Sequence, residues 1–141
     1  MLEQKKWQCP LPYVHLEIQP VGDVFVCCHS LTPLKIGNLH QSSLKQIWEG
    51  PERMEYQNSF EKNKGELLDH CKSCKILELE GGVSGRQREL KRWKSSNISK
   101  NTIAPKSLAI RYSNLCNLKC RSCKPSTSTA WFSDAKMINP N

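Results

Sequence analysis

The sequence predicts an α+β fold for this chain of 141 residues, with a small β-hairpin and helices first and a strand–loop–helix unit last. Two short β-like runs around a Pro-Val-Gly-Asp turn predict the hairpin. A proline and a capping signal predict the helices. The chain has eight cysteines, five of them between residues 9 and 74 and three close together near the C-terminus, and this number indicates that bound metal staples the small fold.

The hairpin is predicted from residues 14–19 and 24–28, which the turn at residues 20–23 separates. Gly22 supplies a backbone conformation that other residues resist. Cys27 then lies near the end of the second strand, where a fixed backbone can aim its sulfur.

The helices are predicted from local start signals. Pro51 is tolerated in a first turn, so we expect a helix from there to about residue 61, with Met54 and Phe60 facing inward. Ser84, with Gln87 three residues later, is a capping box that opens a helix to about Lys94. The Trp48, Trp93 and Trp131 side chains are interpreted as core anchors rather than a base-stacking set.

The polar run at residues 94–101 is interpreted as part of a linker. We therefore divide the chain into a first domain at 1–93, a linker at 94–104 and a last segment at 105–141. The last segment predicts a strand at 107–112, a cysteine loop and a helix from about residue 126 to 137, which together make one β/α unit.

The C-terminal cysteines, Cys116, Cys120 and Cys123, form a C-x3-C-x2-C loop. Three thiolates can hold a four-iron cluster and leave the fourth iron open for reaction, whereas a fully ligated cluster carries electrons. Structural zinc requires four ligands. The spacing alone shows a three-thiolate metal site, and we favour iron–sulfur over zinc there.

Four further cysteines, Cys9, Cys27, Cys71 and Cys74, suit either a closed four-iron cluster or structural zinc, and the residues alone leave both open. Adjacent strand residues face opposite sides, so Cys28 is either an alternate ligand or a small buried hydrophobe. We interpret His29 and His70 as surface or capping residues rather than ligands.

Composition limits the partners. Lys and Arg number 21 and Asp and Glu 13, which gives a net charge of +8. We favour a solvated basic face over a nucleic-acid site, and the helix at residues 86–94 is where nucleic acid would bind in the alternative reading. No apolar run predicts a membrane span, and no signal peptide is visible, so we expect a cytoplasmic protein whose Cys-x-x-Cys pairs bind metal.

The order of these motifs resembles a known group of enzymes. The C-x3-C-x2-C loop after a strand resembles the cluster loop of radical S-adenosylmethionine (SAM) enzymes. The pattern of Cys9, then Gly22-x4-Cys27, then Cys71-x2-Cys74 resembles the auxiliary-cluster domain called SPASM, or its shortened form, twitch. Residues 36–39 and 43–48 resemble the stretch that follows in that family, and residues 82–90 resemble the segment that joins twitch to barrel.

The resemblance implies the function. Cys116, Cys120 and Cys123 would hold a SAM-binding 4Fe–4S cluster, and an electron from it would cleave SAM to a 5′-deoxyadenosyl radical. Cys9, Cys27, Cys71 and Cys74 would hold an auxiliary 4Fe–4S cluster. A reductant such as flavodoxin or ferredoxin would supply electrons; the substrate is not implied.

The resemblance also implies that residues 105–141 are the first unit of a partial (β/α) barrel. A barrel unit takes about 30 residues, so the chain would be truncated at the start of the barrel and too short to be active alone. The alternative is a non-catalytic zinc-binding module that contacts nucleic acid.

Overall fold

A computed structural model of the protein describes residues 9–62, 69–94 and 102–138. The described residues form two compact units that divide after Ile110. The first unit contains four strands, β1 (His15–Ile18), β2 (Asp23–Phe25), β3 (Lys35–Asn38) and β4 (Ser107–Ile110). Its helices are α1 (Leu11–Val14), α2 (Leu44–Trp48), α3 (Pro51–Lys62), α4 (Lys72–Leu79) and α5 (Gly85–Trp93), with a 3₁₀ turn at Asp69–Cys71.

The predicted hairpin is confirmed. Strands β1 and β2 pair antiparallel, with Glu17 opposite Phe25. Gly22 closes the turn at φ +80°, in the left-handed region that glycine enters without steric cost. Strand β3 then pairs antiparallel with β2 and extends the hairpin to three strands.

Strand β4 completes a four-stranded sheet in the order β3-β2-β1-β4. It runs parallel to β1, with His15 opposite Ser107 and Ile18 opposite Ile110. The strand predicted at residues 107–112 therefore exists, two residues shorter, and it lies in the sheet of the first unit. The partial barrel stays a prediction, and most of the predicted linker lies outside the described residues.

The core lies on one face of this sheet. Strand β1 is central, and Leu16 and Ile18 point from it toward α2 and α3. Trp48, at the end of α2, is 1% exposed, and its indole N–H donates to the Thr102 carbonyl at 2.8 Å. The expectation that Trp48 is a core anchor is confirmed. The cluster of buried residues comprises Leu16, Ile18, Val24, Val26, Ile36, Ile47, Trp48 and Tyr56.

Helix α3 has the predicted bounds to within one residue, but its predicted inward face is wrong in part. Met54 is 51% exposed, and Arg53 and Tyr56 are the buried residues. The Arg53 guanidinium stacks over the Trp48 ring at 3.8 Å and also donates to the Trp48 carbonyl, so this cation replaces a hydrophobe at the interface. Phe60 is half-buried.

Helix α4 begins between the paired cysteines, and helix α5 begins where the capping box predicts. Cys71 ends the 3₁₀ turn that leads into α4, which places the Cys71–Cys74 pair at a loop-to-helix junction. Ser84 caps α5 through a full capping box with Gln87, as predicted. The turn between α4 and α5 contains Gly81, whose φ of +80° lies in the left-handed region that glycine enters without steric cost.

The second unit consists of a loop, a 3₁₀ turn at Thr129–Trp131 and the helix α6 (Phe132–Ile138). The helix begins six residues after the predicted start. In the parts of the chain that the structure describes, no helix has the length and apolar character to cross a membrane.

Candidate iron–sulfur site

Four cysteines from separate parts of the first unit line one cavity. They are Cys9, Cys27, Cys71 and Cys74, the set that the sequence singled out. All eight cysteines of the chain are thiols rather than disulfides. Cys28 is not among the described residues that line this cavity.

The neighbouring strands and helices position the backbone of each of these four cysteines. Cys9 lies two residues before the start of α1, which leads without a break into β1. Cys27 lies two residues beyond the end of β2 and accepts a hydrogen bond from the His29 backbone N–H at 3.4 Å. Cys71 and Cys74 are three residues apart at the start of α4, so their side chains lie on one helix face.

Side-chain hydrogen bonds connect the segment after Cys27 to the Cys71–Cys74 segment. The Ser30 hydroxyl donates to the His70 carbonyl at 2.6 Å, and the Ser73 hydroxyl donates to the His29 carbonyl at 3.2 Å. Each bond joins residues about 40 positions apart in the chain, and together they hold the two cysteine-bearing segments at the cavity.

The cavity disfavours free thiolates. Burial raises the pKa of Cys9 well above its ordinary value, and the neighbouring Cys27, Cys71 and Cys74 sulfurs raise it further. Burial likewise raises the pKa of Cys27 to about 12. A bound metal reverses this balance, because coordination deprotonates a thiol outright. The four thiols therefore form a donor set that fits an iron–sulfur cluster.

Aromatic and imidazole side chains complete the cavity wall. Tyr56 lies with its hydroxyl 3.9 Å from the Cys71 sulfur, and burial raises its pKa far above the ordinary value. Both His29 and His70, interpreted from the sequence as surface or capping residues, line the cavity. His70 bonds through Nδ1 to the Thr32 carbonyl at 3.0 Å.

Helix α5 contributes a residue that sequence reasoning placed on a solvated face. Arg86 lines the cavity, and its side chain is only 6% exposed. It forms a bidentate pair with Glu78, whose carboxylate also accepts the Ser84 hydroxyl. The capping box is the sequence feature that locates Arg86: Ser84 fixes the first turn of α5, and Arg86 lies in that turn.

The second unit holds the other three cysteines in one loop. Cys120 is exposed, Cys116 and Cys123 are half-buried, and the Cys123 N–H donates to the Cys120 carbonyl at 3.0 Å. Two residues that the sequence analysis did not single out fasten the loop. Ser128, fully buried, donates to the Leu118 carbonyl at 2.8 Å, and Thr129 accepts from the Cys116 N–H at 3.2 Å.

No three Cys, His, Asp or Glu side chains converge on a single metal-ion position within residues 9–62, 69–94 and 102–138. The structure brings Cys9, Cys27, Cys71 and Cys74 together at one cavity. The other three predicted ligands, Cys116, Cys120 and Cys123, share one loop.

Comparison with known proteins bears on the first unit. Residues 9–75 match the model of the SPASM family, an iron–sulfur cluster-binding domain. All four cavity cysteines lie within the match, whereas Glu78, Arg86 and the C-terminal cysteine loop lie beyond it. No curated protein and no solved structure matches the chain. The match supports iron–sulfur cluster binding by the first unit.

Proposed function

We propose that this chain is the cluster-binding part of a radical SAM enzyme and holds two 4Fe–4S clusters. The observation that carries the proposal is the convergence of Cys9, Cys27, Cys71 and Cys74 on one cavity inside the segment that matches an iron–sulfur cluster-binding domain. We assign the auxiliary cluster to these four thiols. When bound there, such a cluster supplies electron transfer.

We assign the second, SAM-binding cluster to Cys116, Cys120 and Cys123. Three thiols in one loop leave one iron without a protein ligand, and that iron supplies reductive cleavage of SAM. The exposure of Cys120 gives the loop an open side, while Ser128 and Thr129 hold its backbone. The residues of the chain bind and orient the cluster in this scheme.

A cytoplasmic electron donor of the flavodoxin or ferredoxin class would reduce the protein. The net charge of +8 supports this choice, because a basic surface attracts acidic donors and raises the association rate. The same charge would suit nucleic acid, but Arg86, in the helix assigned to that alternative, is buried against Glu78 and is not available to phosphates.

The assignment can be tested by anaerobic reconstitution with iron and sulfide. We expect about eight iron atoms per chain and a brown protein whose reduced electron paramagnetic resonance spectrum contains one SAM-sensitive component. Cys120→Ala should remove that component and leave the auxiliary signal, whereas Cys74→Ala should do the opposite. Cys28→Ser is the matched control and should retain both signals.

A colourless protein that binds zinc at the first unit would favour the zinc-binding module instead. A spectrum that SAM leaves unchanged would remove the assignment of the C-terminal loop while leaving the auxiliary site intact.

A further inference from the structure

Helix α5 lies outside the residues that match the cluster-binding domain, yet it forms part of the wall of the four-thiol cavity. Gly85 is packed so closely on His29 that an added Cβ would lie 2.4 Å from the imidazole Cγ. The first turn of α5 therefore sits directly against the segment that follows Cys27. Only glycine allows this approach, and it brings the next residue, Arg86, to the cavity.

The charge of Arg86 is held in place by Glu78. Its Nε donates to one carboxylate oxygen at 2.9 Å and its Nη2 donates to the other. The two side chains are 6% and 8% exposed, so solvent screens them little. Glu78 lies four residues after Cys74 in α4, on the same helix face, which links the pair to a cavity cysteine through one helical turn.

We propose that the Arg86–Glu78 pair sets the reduction potential of the auxiliary cluster, an inference that rests on the proposed function of the four-thiol site. A cluster becomes more negative when it accepts an electron. A buried guanidinium at the cavity wall stabilises that added charge, and the carboxylate beyond it opposes the effect. Arg86 and Glu78 are thus positioning residues that act on the cluster through the electric field of their charges and do not ligate iron.

Substitutions of Arg86 and of Glu78 are expected to shift the reduction potential in opposite directions. Arg86→Gln removes the cation and leaves Glu78, so the potential should move to more negative values. Glu78→Gln leaves the cation alone, so the potential should move to more positive values. The double variant should lie between them, and Arg86→Lys, which keeps the charge, should stay nearer to the wild type than Arg86→Gln.

The measurement is a redox titration of the auxiliary cluster, followed by electron paramagnetic resonance. The full chain carries Cys116→Ala, Cys120→Ala and Cys123→Ala in every sample, so that one cluster is observed. Arg92→Gln is the matched control. It removes the same charge from the same helix at a side chain that is 65% exposed, and it should shift the potential less than Arg86→Gln.

Opposite shifts from the two single variants support the proposal, because loss of packing alone would not reverse sign. If Arg86→Gln prevents folding, the remaining variants still give the sign of each effect. The potential of Glu78→Gln relative to wild type gives the effect of Glu78, and the potential of the double variant relative to Glu78→Gln gives the effect of Arg86. Equal potentials in all variants that retain a full cluster would overturn this inference alone. Absence of any cluster in the parent chain would overturn the proposed function, and this inference with it.

Discussion

Gly22 and Gly81 share one backbone conformation in different surroundings. Both have φ +80°, but a Cβ at Gly22 would lie 2.8 Å from His40 Cδ2, whereas a Cβ at Gly81 would meet nothing within 4 Å. Alanine substitutions at the two positions therefore distinguish the free-energy cost of the backbone conformation from the cost of a steric clash.

We expect Gly81→Ala to lower the free energy of unfolding by about 1 to 2 kcal/mol, the cost of left-handed backbone in an L-residue. Gly22→Ala should cost more, because the His40 ring must also move. Urea unfolding under anaerobic conditions measures both. Equal costs would show that His40 moves aside freely.

His15 makes the stability of the sheet depend on pH. It is 4% exposed and bonds through Nδ1 to the Ser107 hydroxyl at 3.0 Å, which joins β1 to β4. Burial lowers its pKa below the ordinary value of 6.5; Glu89 acts in the opposite direction, while His29 and Arg92 lower it further. The native protein therefore binds a proton at His15 less readily than the unfolded chain does.

It follows that the contribution of His15 to stability is present above pH 6.5 and is lost as the pH falls through the lowered native pKa. We expect the unfolding free energy to decrease with falling pH below 6.5 and His15→Gln to flatten that slope. His40→Gln, at an exposed histidine, is the control. An unchanged slope in the His15 variant would contradict the prediction.

At the scale of elements, two helices begin with the same capping box in different environments. Ser43 opens α2 with Gln46, and Ser84 opens α5 with Gln87. Ser43 is exposed, whereas Ser84 is fully buried and its hydroxyl also reaches the Glu78 carboxylate. The second serine therefore contributes a bond that the first does not.

We expect Ser43→Ala to cost about 1 kcal/mol of unfolding free energy, as a lost N-cap does. Ser84→Ala should cost more, by about 1 to 3 kcal/mol for a lost bond to a buried charged group. Chemical denaturation of both variants checks the difference. If the two costs agree, the Ser84–Glu78 bond contributes nothing to stability.

The elements that the sequence predicts correctly are those set by local chemistry. The turn at Gly22 and the capping box at Ser84 each depend on residues within a few positions of one another. The predicted inward face of α3 is wrong in part because Arg53 is buried by stacking on Trp48, which hydrophobic periodicity does not register. The capping box at Ser84 locates the first turn of α5, but the position of Arg86 and His29 at the cavity depends on the packing of Gly85 against His29, which joins distant parts of the chain.

At the scale of the whole molecule, the four cavity thiols come from three places in the chain, and the first and last are 65 residues apart. A ligand that binds all four closes this long loop and binds only the folded form. The described helices are short, and the longest has 12 residues, so little of the structure is stable by itself.

We therefore expect chelation of the bound iron to lower the melting temperature and reduce the far-ultraviolet circular dichroism of the protein. Cys74→Ala should reproduce the effect without a chelator, and Cys28→Ser should not. Melting that is unchanged after complete iron removal would assign the cluster no structural role.

The parallel pairing of β1 with β4 has a consequence for biosynthesis. His15 and Ser107 are 92 positions apart, so the ribosome must synthesise the intervening chain before the two strands can meet. At about 5 to 20 residues per second, this takes on the order of 5 to 20 seconds. During that interval β1 is an unpaired edge in the nascent chain, and such edges recruit other strands. The yield of native protein should therefore depend on translation speed and on chaperones that cover this edge until β4 emerges.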